Sequence, residues 1–162
     1  MNHAKNNTSR TAESWFSEYG ESHQNATNKQ IHWICVPAIY WSIILIIWNL
    51  PQPGWMLNIG WINWAGVLSI LVMAFYLRLS PRLAIGMVLF TGLAFLMSAL
   101  INKAGIDLLK LGVVIFVIAW IGQFIGHKIE GKKPSFFKDI FFLLIGPFWL
   151  MSFIYKRLGL SY

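Results

Sequence analysis

Apolar residues fall into four long runs separated by short polar turns: Ile34 to Leu50, about Trp61 to Leu77, about Leu83 to Ile101 and about Ile106 to Gly126. Each run approaches the ~20 residues an α-helix needs to cross the hydrocarbon core of a bilayer. With their polar shoulders, the spans are expected at about 31–50, 61–78, 83–101 and 106–126. A fifth, shorter run, Ile140 to Ile154, contains Gly146-Pro147 and reads as a broken hairpin, re-entrant or interfacial, over about 136–156. Upstream, residues 1–12 are polar and read as a disordered tail. The stretch ESWFSEYGESHQNA (13–26) places Trp15, Tyr19 and His23 on one face of a short interfacial helix. Thr27 with Gln30 three residues later fits a capping box and predicts the start of span one there. Pro37 predicts a kink, and Pro51-Gln52-Pro53-Gly54 an end. The expected fold class is an all-α integral membrane protein: one embedded domain over 13–162, with four transmembrane helices in a bundle, an interfacial N-terminal helix and a C-terminal hairpin.

Composition points the same way. The 162 residues are 57% hydrophobic and 12% charged, against about 25% charged in a soluble domain. Trp41, Trp48, Trp55, Trp61 and Trp64 read as interfacial belt anchors. The net charge of +7 lies in segments between the apolar runs, which fits contact with anionic lipid heads rather than nucleic acid. The 51–60 loop lacks Lys and Arg, the 78–82 turn has two arginines, the 102–106 turn one lysine and the 127–138 loop four. The positive-inside rule therefore puts the N-terminus, the 78–82 turn and the 127–138 loop in the cytoplasm. A fifth full span would carry Lys156 and Arg157 outside, which favours the hairpin. No targeting segment is visible, and a bacterial inner membrane is expected rather than an endoplasmic reticulum. Cys35 is the only cysteine, so there is no internal disulfide, and its apolar neighbours make it an inert thiol. No acidic residue lies mid-span, which argues against a transporter.

The candidate chemistry lies in the histidines. His3 is in the tail. His23, His32 and His127 fall at the cytoplasmic ends of spans one and four, and those helices are commonly neighbours in a four-helix bundle. Gln123, His127 and Glu130 form one helical stripe. Tyr19 and His23 are four apart, as are Asn28 and His32. His23 and His32 are nine apart, opposite faces of a straight helix, so a break near 25–27 is needed to turn both inward. Neutral imidazoles bind iron, zinc or copper, and a carboxylate three residues from a ligand joins the metal or orients the histidine. The plainer reading makes the histidines interfacial padding, Glu130 a solvated acid and Gln123 an interhelical hydrogen-bonding residue.

Two blocks, EYGESHQNATNKQIHWICVP (18–37) and WIGQFIGHKIEGKKPSF (120–136), resemble the membrane family containing the fungal 2-hydroxy fatty acid dioxygenase. The pattern rests on Tyr19, His23, Asn28, Ile31-His32 and Val36-Pro37, then on Gln123 to His127, Glu130, Pro134 and the Gly146-Pro147 segment. The resemblance implies an iron(II) (Fe2+) enzyme with molecular oxygen as co-substrate. It would cleave the C1–C2 bond of a 2-hydroxy fatty acid and leave an acid one carbon shorter. It implies His23, His32 and His127 as catalytic ligands, with Glu130 a further candidate. Tyr19, Asn28 and Gln123 would surround them, and Lys128, Lys132 or Lys133 would attract the substrate carboxylate. The partners are then the bilayer and the fatty acid, with no nucleic acid and a homo-oligomer left open. Two other readings keep the fold: a zinc-dependent lipid hydrolase and a non-enzymatic lipid-binding protein.

Overall fold

The computed structural model describes residues 10–59 and 62–162. Most of the expected tail, with His3, lies outside the described residues, as does Trp61. The described residues form seven α-helices: α1 (Ala12–Gly20), α2 (Ala26–Trp48), α3 (Gly54–Ile59), α4 (Trp64–Leu79), α5 (Pro81–Lys103), α6 (Leu108–Glu130) and α7 (Phe142–Arg157), with one 3-10 turn at Ser135–Phe137.

Three of these helices, not the expected four, are long and apolar enough to cross a membrane: α2, α5 and α6, each of 23 residues. The second expected span is a 16-residue helix, about 24 Å at ~1.5 Å per residue against a core of about 30 Å. It is short because Asn63, inside the apolar run, caps it by accepting a hydrogen bond from the Gly66 N–H. Ser80 alone joins α4 to α5, ending one helix and capping the next ahead of Pro81. The start of α2 also differs from expectation. Asn25, not Thr27, is the cap, and its side chain accepts from the Thr27 and Asn28 amides. Residues 10–12, expected in the disordered tail, are ordered: Thr11 caps α1, and the Arg10 guanidinium lies 4.1 Å from the Trp15 ring centroid.

The C-terminal hairpin is replaced by the 3-10 turn and a single continuous helix that keeps Pro147 inside it. Tertiary packing overrides the break. Phe142, Ile145, Phe148, Trp149 and Leu150 of α7 are all buried. The Tyr76 hydroxyl donates to the Leu144 carbonyl at 2.7 Å, and the Tyr76 ring stacks on Phe148 at 4.6 Å. Gly146 is a contact residue: a Cβ there would stand 3.0 Å from Tyr19 Oη.

The most extensive helix pairing is α2 on α6, which small residues make close. Hypothetical Cβ atoms on Gly112 and Gly122 would come within 2.9 Å of Leu45 and 2.6 Å of Cys35, and one on Gly126 would overlap Asn28 Oδ1. Gly122 and Gly126 form the small-xxx-small spacing that lets helix backbones approach in lipid. Further polar ties join α2 to α5, Tyr40 with Thr91 at 2.6 Å and Trp41 with Ser98 at 3.1 Å. Large apolar side chains such as Ile70, Leu89 and Ile118 point outward, an exposed surface suited to lipid.

Candidate metal centre

The chain turns between α1 and α2 at residues 21–25, and this turn brings His23 against the first turns of α2. The α2–α6 seam brings His127 to the same point. One ring nitrogen from each of His23, His32 and His127 can be chosen so that all three lie within 4.8 Å of one another, and all three residues are buried. Their ring centroids are 4.3, 5.0 and 4.9 Å apart.

Hydrogen bonds fix two of the three rings. His23 Nδ1 lies 2.6 Å from the Tyr19 carbonyl oxygen, and His32 Nδ1 lies 2.9 Å from that of Asn28. A carbonyl only accepts, so each Nδ1 carries a proton and each neutral ring leaves a lone pair on Nε2. Those two Nε2 atoms face each other at 2.9 Å. Burial, with His32 alongside, pushes the His23 pKa down to about 3, so the ring is neutral at pH 7. Two lone pairs at that distance repel unless a cation lies between them. His127 Nδ1 is buried with no hydrogen-bond partner, on the third ring of the same cluster. The residues therefore fit a bound divalent metal of the kind that imidazole nitrogens prefer.

The surroundings hold this arrangement. Tyr19 stacks on His23 with ring centroids 4.0 Å apart, and Trp149 stands 5.5 Å from the same ring. Burial raises the Tyr19 pKa further above its ordinary value, so its hydroxyl stays neutral. Ser22 Oγ lies 3.3 Å from His23 Nδ1 and 2.6 Å from Ser135 Oγ. The sequence reading missed Ser22, Ser135 and Trp149, none of which belongs to a recognisable spacing.

Asn28 is fully buried; its Nδ2 donates to the Ser22 carbonyl and to Glu130. Glu130 stands outside the histidine cluster. Its oxygens accept from the Gln24 and Asn25 amides at 2.8 Å each and from Asn28 Nδ2 at 3.0 Å. Gln123 is buried beside His127 and faces the adjoining cavity. Lys128, Lys132 and Lys133 are exposed, and none lines that cavity. Lys132 donates to the Glu21 carbonyl at 2.6 Å, and Lys138 pairs with the Glu21 carboxylate at 3.6 Å, which ties the 131–139 segment to the end of α1.

A cavity of about 470 Å³ starts at His32, His127, Gln123, Tyr19 and Ser135. It follows one stripe of α2 through Val36, Tyr40 and Ile43 to Ile47, a length of about 22 Å at helical rise. Its walls are mostly apolar. α4 and α6 flank it with Leu68, Val72, Phe116 and Trp120, yet these two helices lack extended packing against each other. Leu68 and Leu143 line the cavity and are also exposed, so it reaches the outer surface on this side. At the far end Ile44 and Ala65 belong to a buried cluster with Ala94.

No curated protein and no solved structure matches the chain. A family model described as 2-hydroxy-palmitic acid dioxygenase Mpo1-like matches residues 9–158, a stretch that holds all three clustered histidines and the whole cavity lining. With nearly its full length matched, the chain belongs to this Mpo1-like family.

Proposed function

We propose that this protein is an iron(II)-dependent dioxygenase that cleaves the C1–C2 bond of 2-hydroxy fatty acids, shortening them by one carbon, with molecular oxygen as co-substrate. The observation that carries the reading is the pair of facing Nε2 atoms, 2.9 Å apart, with both Nδ1 atoms committed to backbone carbonyls. That arrangement calls for a shared cation. The family's description supports a dioxygenase acting on a 2-hydroxy fatty acid; iron(II) and cleavage between C1 and C2 are part of the proposal.

His23, His32 and His127 would hold the metal. Three imidazoles leave coordination positions open, and bound iron(II) would supply redox chemistry with oxygen there. The protein's own groups do the rest. Tyr19 and Asn28 carbonyls fix two rings in the tautomer that presents Nε2. Tyr19, Gln123 and Ser135 offer hydrogen bonds where the cavity meets the histidines, the place for a carboxylate and a 2-hydroxyl. The apolar stripe of α2 takes the acyl chain, and its walls exclude water from the reacting carbons. Lys128, Lys132 and Lys133 lie outside the cavity, so their part is to attract the anionic head to this face rather than to grip it. The positive-inside rule, applied to the same lysines, supports a cytoplasmic location for this face and the N-terminus.

The test is metal content and turnover of detergent-purified protein, loaded with iron(II) without oxygen. Near-stoichiometric iron, lost in each of His23→Ala, His32→Ala and His127→Ala, with oxygen consumed and a fatty acid one carbon shorter formed, is the expected result. Zinc retained through purification, with lipid hydrolysis that proceeds without oxygen, would replace this reading with the hydrolase.

A further inference from the structure

We propose that Glu130 is the positioning residue of the histidine cluster, a clasp that sets all three imidazoles at once. The inference rests on the metal reading above.

Glu130 reaches each histidine through a separate connection. It accepts from the amides of Gln24 and Asn25, the two residues that follow His23. It accepts from Asn28 Nδ2, and the carbonyl of Asn28 holds His32 Nδ1 at 2.9 Å. It lies one helical turn after His127, at the last residue of α6. The bonds cross 106, 105 and 102 residues of sequence. They close the site at the one point where the α1–α2 turn meets α6.

Its placement makes sense only in these terms. A carboxylate at the C-terminus of its own helix opposes the negative end of that helix dipole. Here the same carboxylate sits at the N-terminus of α2, where free amides point outward and the dipole favours an anion. Among the described residues Glu130 enters no salt bridge, although Lys128, Lys132 and Lys133 surround it in sequence. Both oxygens are spent on the α1–α2 turn and Asn28, and the carboxylate is not one of the clustered ligands. It therefore acts on the metal through the histidines.

Cobalt(II), a coloured stand-in for iron(II), separates the outcomes. Full-length protein in detergent is titrated with cobalt(II) without oxygen, as wild type, Glu130→Gln and Glu130→Ala. The melting temperature of each metal-free protein is recorded alongside. Outer groups that orient ligands are worth about 10–100-fold in metal affinity. The expected result is a loss of that size in both variants, with the visible band positions of bound cobalt unchanged and the metal-free melting temperature of Glu130→Gln close to wild type. Unchanged affinity in Glu130→Gln and Glu130→Ala overturns the proposal. Shifted bands overturn it too, by making Glu130 a ligand. If Glu130→Ala fails to fold, Glu130→Gln, which keeps the shape and loses the charge, decides alone. Wild-type protein that takes up no cobalt overturns the metal reading itself, and the clasp with it; that result is distinct from wild-type binding with unaffected variants.

Discussion

Asn28 Oδ1 occupies the space a side-chain carbon on Gly126 would need. The Asn28 side chain therefore packs directly on the α6 backbone, one residue from His127 and four from His32.

Gly126→Ala is expected to force α2 and α6 apart and cost about 1–3 kcal/mol, the usual range for overpacking. It should also weaken metal binding, because His127 moves with the displaced turn. Gly92→Ala is the control. A Cβ there meets open space on α5, so the change should be neutral or stabilise by about 0.5–1 kcal/mol. Thermal melting of both variants, with and without metal, checks the pair.

Metal binding should stabilise the fold, since the cluster exists only when α1, α2 and α6 are assembled. At a free metal concentration 100 times Kd the gain is about 2.7 kcal/mol. Melting temperature should rise with added iron(II) or cobalt(II) in wild type. It should not respond in His32→Ala, where one of the two facing nitrogens is gone.

The metal-free protein should lose stability on acidification. His23 is held neutral down to about 3, well below its ordinary 6.5. Between those values the unfolded chain binds a proton that the folded site refuses, so stability falls as pH drops through that window and is fully present above it. Melting temperature against pH should slope upward from about pH 3 to pH 6.5 in wild type, and more gently in His23→Asn.

Acyl-chain length should be set at the far end of the cavity, where Ile47 and Ala65 close it. Ala65→Leu fills that end and should shift kcat/KM toward shorter 2-hydroxy fatty acids. Ile47→Ala opens it and should shift preference toward longer ones. A methylene in a hydrophobic pocket is worth about 10-fold or more, so competition between two chain lengths resolves both shifts.

Much of this was legible from spacing. The apolar runs announced helices, and the nine-residue gap from His23 to His32 required a turn; the expected place is near 25–27, but the chain makes it at 21–25 and is helical again from Ala26, because Asn25 is the cap. Other features were visible but unread. Gly122 and Gly126 stand four apart in plain view, and they set how closely α6 meets α2. Asn63 was hidden by its neighbours: an apolar average does not register one cap residue, and that cap cost α4 its first turn. Gly146-Pro147 misled, because a Gly-Pro pair breaks isolated helices, whereas here packing on Tyr19 and Tyr76 holds the helix together. The bonds of Glu130 are a product of the fold alone, since no local pattern links residues more than 100 apart.

The separation of α4 from α6 beside the cavity changes what concentration means for this protein. If the substrate is the 2-hydroxy fatty acid proposed above, a molecule entering between those helices would arrive from the plane of the membrane and not as a free solute. Encounter is then two-dimensional, and the governing variable is the mole fraction of substrate among lipids. Adding inert detergent or lipid at constant total substrate dilutes the substrate as surely as adding water would for a soluble enzyme, and the membrane itself becomes the vessel in which saturation is reached.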